Sequence, residues 1–351
     1  MSSVSRTSTA TAGQPLSGDP LARACVVGAS GFSGALAAAL LWRHPRVSLE
    51  AVTARTDAGA RLDELYPRHR VPLELERFDA ERLSQVADVA FVSYPHGAAA
   101  AAVAELRAHG MRVLDLSADF RLRDLAAYET WYGDHGAPQL LPEAVFGLTE
   151  LHRDELADAA LVACPGCYST ATILALAPLA RARLIEAAVV DAKSGVSGAG
   201  REPTPTTHFV AADENVTPYA VEGHRHSAEV DQELAALGCE LPATFVPHLL
   251  PLDQGLLASC YVTTTRRVSD GELAELFGDA YGGEPFVELA LRPPGVRDVR
   301  DTNICRIHAR VDRAGRVLCF AAIDNLWKGA AGQAVQNLNV MLELDETTGL
   351  R

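Results

Sequence analysis

Cys167 lies in Cys164-Pro165-Gly166-Cys167-Tyr168-Ser169-Thr170, where an apolar run stops and a helix is expected to begin. A thiol at a helix N-terminus faces unpaired backbone N–H groups and the positive end of the macrodipole, and both favour thiolate over thiol. The thiolate is the nucleophile, so covalent catalysis is the chemistry this position suggests. Such a nucleophile needs a proton partner, most often histidine. Of the eleven histidines, two stand beside a guanidinium in Glu222-Gly223-His224-Arg225-His226, a segment read as a loop opened by glycine. His44, His69, His109, His135 and His152 fall in helix-end or loop contexts and read as surface residues, and His308 in a β run reads as packed.

The spacing of Cys164 and Cys167 also fits half of a zinc site or a redox pair. No second C-x-x-C or H-x₃-H supplies the other ligands, and the pair lies mid-chain. No metal is therefore expected, and Cys164 reads as a structural residue ending a strand. Ser194-Gly195-Val196-Ser197-Gly198-Ala199-Gly200-Arg201 is a Gly/Ser loop after a strand, a natural nest for an anion or a nicotinamide. Asp119-Phe120-Arg121 follows another strand end. Arg121, Ser194, Arg201, His208 and His226 are the substrate and phosphate candidates.

These groups need elements to position them. Gly28-Ala29-Ser30-Gly31-Phe32-Ser33-Gly34 follows a short buried strand, Ala24 to Val27, and precedes a helix ending before Pro45. Its G-x-x-G-x-x-G spacing differs from the usual dinucleotide turn. Its place between strand and helix is still right for a pyrophosphate at a helix N-terminus. After the second strand, Val47 to Thr53, the chain runs Thr53-Ala54-Arg55-Thr56 with no acidic residue for a ribose hydroxyl. Arg55 can pair with a 2′-phosphate, so NADP(H) is expected over NAD(H); otherwise it is an ordinary surface arginine. Ser93 and Pro95 follow the strand ending at Val92. Strands alternating with helices predict a parallel, doubly wound sheet. After Cys167 the strands lengthen, and Ile304–Val311 and Arg316–Ile323 flank the turn Asp312-Arg313-Ala314-Gly315, a hairpin.

The predicted class is α/β: a Rossmann-type dinucleotide-binding domain (21–163, with the C-terminal helix 326–351) plus an α+β catalytic and oligomerisation domain (164–325) with a mostly antiparallel sheet. Residues 1–20, rich in Ser, Thr, Ala and Gly, read as a disordered tail. The chain has 351 residues, 48% of them hydrophobic, with net charge −14 and pI about 5.2. An acidic chain of this kind is a poor partner for nucleic acid or an anionic membrane. No apolar stretch is long enough to span a bilayer. An odd number of scattered cysteines fits reduced thiols in the cytoplasm.

Taken in order, the Gly28–Gly34 turn, Tyr94-Pro95-His96-Gly97, Leu116-Ser117-Ala118-Asp119-Phe120-Arg121, Pro165-Gly166-Cys167-Tyr168, the Ser194–Arg201 loop, Gly223-His224-Arg225-His226, Val246-Pro247-His248-Leu249-Leu250-Pro251 and Asp324-Asn325-Leu326-Trp327-Lys328-Gly329-Ala330 resemble the N-acetyl-γ-glutamyl-phosphate reductase family, relatives of aspartate-semialdehyde dehydrogenase. The resemblance implies NADPH-dependent reduction of an acyl phosphate to a semialdehyde in arginine biosynthesis. It implies Cys167 as nucleophile, His224 as acid/base, Asn325 and the Gly195–Gly198 loop (with Ser197 and Gly198) at the nicotinamide, and a homodimer or homotetramer. Cys164, Ser169 and Trp327 stand where the family commonly has Asn, Pro and Val. Two alternatives are a relative acting on a carrier-bound glutamyl or aminoadipyl phosphate and a catalytically dead NADP-sensing regulator. The acidic chain argues against the first, and Cys167 with His224 against the second.

Overall fold

The computed structural model describes Gln14 and residues 16–351. Most of the expected N-terminal tail, residues 1–13 and 15, lies outside the described residues. Gln14 exchanges two hydrogen bonds with the backbone of Leu49 (2.9 and 3.1 Å), and the Ser17 N–H donates to the Pro45 carbonyl at 2.7 Å.

The first sheet is built from β1 (Ala22–Val27), β2 (Val47–Thr53), β3 (Leu75–Glu76), β4 (Val89–Val92), β5 (Arg112–Asp115), β6 (Ala144–Phe146) and β7 (Leu161–Ala163), in the order β3-β2-β1-β4-β5-β7-β6. All its pairings are parallel. Helices cover both faces, so β1 and β4 are apolar almost without interruption, and all four β4 residues are buried. The strand order reverses between β1 and β4. The crevice at their carboxyl ends is where such sheets take ligands.

The second sheet holds β8 (Ile185–Gly195), β9 (Thr217–Pro218), β10 (Thr244–Leu250), β11 (Leu256–Thr264), β12 (Val287–Leu289), β13 (Cys305–Val311) and β14 (Val317–Ile323), in the order β12-β13-β14-β11-β8-β10-β9. Only β8–β10 and β12–β13 pair in parallel; the rest is antiparallel, as expected. One face packs on the helix Cys167–Arg181, buried from Tyr168 to Ala180. The other leaves Val189 42% and Tyr261 38% exposed. The chain then makes a π-helical turn, Trp327–Ala331, and a helix, Gly332–Met341, which packs against the helix Phe32–Arg43 beside the first sheet.

Two sequence expectations need correction. His44, His69 and His135 are buried, at 0%, 6% and 9% exposure. Partners distant in sequence receive two of them: His44 Nε2 meets Asn339 Oδ1 at 3.0 Å and His135 Nε2 meets the Asp119 carbonyl at 2.6 Å. The His224–His226 segment is a loop only as far as Arg225, because His226 opens a helix running to Ala236.

Candidate active site

Cys167 is the first residue of its helix, after Gly166 in an extended conformation (φ −67°, ψ 150°), and no side chain caps that end. The helix start is therefore open to a ligand anion. The preceding loop is clamped from outside. The Gly166 N–H donates to Glu229 Oε2 at 2.9 Å, and the other Glu229 oxygen accepts from Arg121 Nη1 at 3.0 Å. Arg121 also donates through Nε to the Cys164 carbonyl (2.7 Å) and through Nη2 to the Leu116 carbonyl (2.9 Å). A fully buried carboxylate and a buried guanidinium thus tie the ends of β5 and β7 to the loop that carries the nucleophile.

Burial pushes Cys167 up to about 11; Arg121 and the Tyr168 backbone pull the other way, and Glu229 adds to the rise. Desolvation opposes the thiolate that the helix end favours, and attack then hands the thiol proton to a base. Two neutral imidazoles stand nearby. The ring of His226 lies so close to Gly166 that a Cβ there would meet it at 2.5 Å. Burial, then Arg121 and Arg225, holds His226 well below the usual histidine range, and its buried Nδ1 has no hydrogen-bond partner among the described residues. His224 sits one layer back. Its ring is packed among Tyr168 (5.6 Å between centroids), Tyr219 (5.5 Å), Phe245 (5.5 Å) and His226 (4.7 Å). The His226 N–H donates to His224 Nδ1 at 3.1 Å, so the neutral ring carries its proton on Nε2. Burial, followed by His226 and Arg225, lowers His224 to about 3.

A cavity of about 800 Å³ joins Cys167 to the glycine-rich turn. Its residues fit a dinucleotide. Gly28 has φ +87°, and a Cβ on it would stand 2.6 Å from the Ser93 carbonyl oxygen; at Gly34 the clash would be 2.3 Å, with the Gly28 oxygen. The helix Phe32–Arg43 starts with neither a side-chain cap nor an acidic residue in its first turn, leaving its N–H groups for phosphate. Tyr66 and Arg201 both donate to the Ser30 carbonyl (2.7 and 3.2 Å), and Arg201 pairs with Asp57 at 2.8 Å. Asn325 accepts the Gly255 N–H (2.7 Å) and donates to Ser197 Oγ (3.0 Å), fixing the Gly/Ser loop.

Of the sequence candidates, Gly28, Ser30, Gly31, Phe32, Ser33, Arg55, Ser93, Pro95, Ser197, Gly198 and Asn325 line this one cavity with Cys167, Arg121, Arg201 and His226. Gly34, Thr53, Ser194 and His224 lie behind its wall, all of them buried. His208 is exposed just before the short helix Phe209–Ala212 and does not line the Cys167 cavity. Arg201 meets the dinucleotide end of the cavity, not the nucleophile. Sequence reasoning assigns no separate site role to Asp57, His96, Arg225 or Gly329, which line the cavity, or to Glu229 beneath it. Asp57 stands four residues beyond β2, past the strand end where an acidic ribose partner is sought.

Two family models match the chain: the semialdehyde dehydrogenase NAD-binding domain over residues 23–159 and the semialdehyde dehydrogenase dimerisation domain over residues 167–325. An N-acetyl-gamma-glutamyl-phosphate reductase of Dehalococcoides mccartyi is 47% identical over 334 residues, covering 93% of this chain and 97% of that one. One from Moorella thermoacetica is 45% identical over 339 residues, with 93% and 97% covered. The chain belongs to the N-acetyl-gamma-glutamyl-phosphate reductase family. Members of this family are oxidoreductases built on the semialdehyde dehydrogenase plan. Solved aspartate semialdehyde dehydrogenases share the fold of this N-acetyl-gamma-glutamyl-phosphate reductase family member: that from Vibrio cholerae (type II) superposes with a TM-score of 0.71 at 20% identity, covering 92% of this chain and 98% of its own. A probable one from Pseudomonas aeruginosa gives 0.69 at 22% identity, covering 94% and 99%.

Proposed function

We propose that the chain reduces N-acetyl-L-glutamyl 5-phosphate to N-acetyl-L-glutamate 5-semialdehyde and phosphate with NADPH, through a thioester on Cys167, in arginine biosynthesis. One observation carries this reading: a single cavity holds Cys167 and a neutral imidazole at one end and a phosphate-accepting glycine turn at the other. Arg55 lines the dinucleotide end, and Asp57, the nearby carboxylate, is already compensated by Arg201, which supports NADP(H) over NAD(H).

In this mechanism Sγ of Cys167 attacks the acyl carbon and passes its proton to a neutral imidazole. The resemblance puts that role on His224; the cavity favours His226 as the ring that meets the substrate, with His224 holding it from behind. Arg121 receives the departing phosphate while Glu229 keeps the loop in place. The backbone N–H groups opening the Cys167 helix stabilise the negative oxygen that develops on the carbonyl. The bound nicotinamide supplies the hydride. The oxyanion left by hydride transfer collapses to the aldehyde and expels the Cys167 thiolate, which takes its proton back from the imidazolium.

The open face of the second sheet, with Val189 and Tyr261 exposed, is the surface we assign to a second copy in a homodimer or homotetramer. Among the described residues all seven cysteines are free thiols, which supports a reducing, cytoplasmic setting, and no helix is long and apolar enough to cross a membrane. The test is phosphate-dependent reduction of NADP⁺ by N-acetylglutamate semialdehyde, compared with the unacetylated and aspartate aldehydes and with NAD⁺. Activity confined to the acetylated aldehyde and NADP⁺ is expected. A preference for the aspartate aldehyde, or none for phosphate, would refute the assignment.

A further inference from the structure

The charges of the cavity divide between its ends. At the dinucleotide end Arg201 is paired with Asp57. At the Cys167 end two guanidiniums line the wall, Arg121 and Arg225. Arg121 spends much of its charge on the buried Glu229. Arg225 makes no ion pair with a carboxylate among the described residues. It is instead held in place by neutral groups: its Cζ lies 5.4 Å from the centre of the Tyr132 ring, and its Nη1 lies 2.7 and 2.9 Å from the ring nitrogens of His96. Burial and then Arg225 itself keep the His96 imidazole below its ordinary range, so this contact adds no second charge. The Tyr132 hydroxyl is buried with no hydrogen-bond partner among the described residues, within the field of both arginines. Arg225 also directly precedes His226, whose ring abuts the residue before the nucleophile.

An arginine presented on an aromatic ring, free of any carboxylate and beside a second arginine, is arranged to accept a planar or tetrahedral oxyanion through its remaining N–H groups. Arg121 alone, paired with Glu229, is a weak counter-charge for a dianion. We propose that Arg225, supported by His96 and Tyr132, completes with Arg121 the subsite for the phosphate group of the acyl phosphate, and so governs exchange of phosphate with the acyl-enzyme. This rests on the acyl-phosphate reading above and goes beyond it by assigning the phosphate to a particular pair of arginines.

The test uses the full-length enzyme in the aldehyde-oxidising direction, with inorganic phosphate as the varied substrate. In Arg225→Gln the KM for phosphate rises about ten- to a hundredfold, the loss expected when a charged hydrogen-bond donor is removed from an anion. Arg225→Lys, which keeps the charge without the fork, recovers part of that loss. The KM values for the aldehyde and NADP⁺ stay close to those of the parent, and so does the phosphate-independent burst of NADPH, which reports on fold and cofactor binding. An unchanged KM for phosphate in Arg225→Gln overturns the proposal. A raised KM for the aldehyde with phosphate unaffected overturns it too, by placing the substrate carboxylate there. If the parent enzyme shows no dependence on phosphate at all, the acyl-phosphate reading itself falls, an outcome visible before any variant is made.

Discussion

Replacing Gly329 with alanine is a clean steric test of how the nucleophile is placed. The π-helical turn brings Gly329 against the start of the catalytic helix, so that a Cβ would sit 2.6 Å from Cys167 Cβ, 3.2 Å from its Cα and 3.3 Å from Ile323 Cδ1. Carbon atoms pack at about 3.5–4.0 Å, so the pair is short by about 1 Å. The neighbours are backbone-anchored, and the strain is relieved by moving Cys167 or the turn. Overpacking of this kind costs about 1–3 kcal/mol of stability. A displacement of about 1 Å at a reacting atom lowers turnover on the order of 10²-fold. The assay is kcat for phosphate-dependent NADP⁺ reduction, with NADP⁺ affinity and thermal unfolding measured on the same preparation. The expected pattern is a large loss of kcat with cofactor binding retained. Near-parental turnover in a folded Gly329→Ala enzyme would refute the placement of Cys167 against this turn.

Three further outcomes follow from the same geometry. His226→Asn should cut kcat more than His224→Asn does, with NADP⁺ affinity unchanged in both; the reverse order would move the proton relay to His224. Glu150→Ala strands the ammonium of Lys328, both side chains being fully buried, and should cost about 3–5 kcal/mol in chemical denaturation, a value near zero contradicting the buried pair. His69 stays neutral in the fold down to about pH 4 from an ordinary 6.5, chiefly through burial, whereas the unfolded chain takes up a proton there. Its folded value is depressed, so stability is full above about pH 6.5 and falls as pH drops towards 4. The loss is about 2 kcal/mol between pH 7 and 5, and His69→Gln should flatten the slope by that amount.

The elements easiest to anticipate were those whose signals are local. The β1–turn–helix unit announces itself because parallel strands buried on both faces leave continuous apolar runs around a glycine-rich turn. The β13–β14 hairpin is marked by Asp312, whose carboxylate accepts the Ala314 and Arg316 N–H groups, and by Gly315 at φ +83°. The helix at His226 escaped notice because its inward face is partly ionic. Glu229 and Glu233 are buried there with Val230 and Leu234, which erases the apolar periodicity. Those carboxylates are tolerable because Arg121, Arg123, His152 and the Gly166 N–H, all remote in sequence, meet them. The same holds for the thiol. Its helix-end position is visible in Gly166-Cys167-Tyr168, but the burial that pushes the thiol up comes from packing that no local pattern reveals. Arg225 stood in plain view between two histidines; only its contacts with His96 and Tyr132 distinguish it from a solvated charge.

The central claim is that Cys167 forms a thioester that phosphate alone resolves efficiently. The most direct measurement mixes the enzyme with NADP⁺ and N-acetylglutamate semialdehyde in the absence of phosphate, and follows NADPH together with the mass of the peptide containing Cys167. A burst of NADPH stoichiometric with enzyme, acylation of Cys167, and steady turnover only after phosphate is added are expected, all lost in Cys167→Ser. Steady phosphate-independent turnover without acylation of Cys167, or turnover surviving in Cys167→Ser, would contradict it.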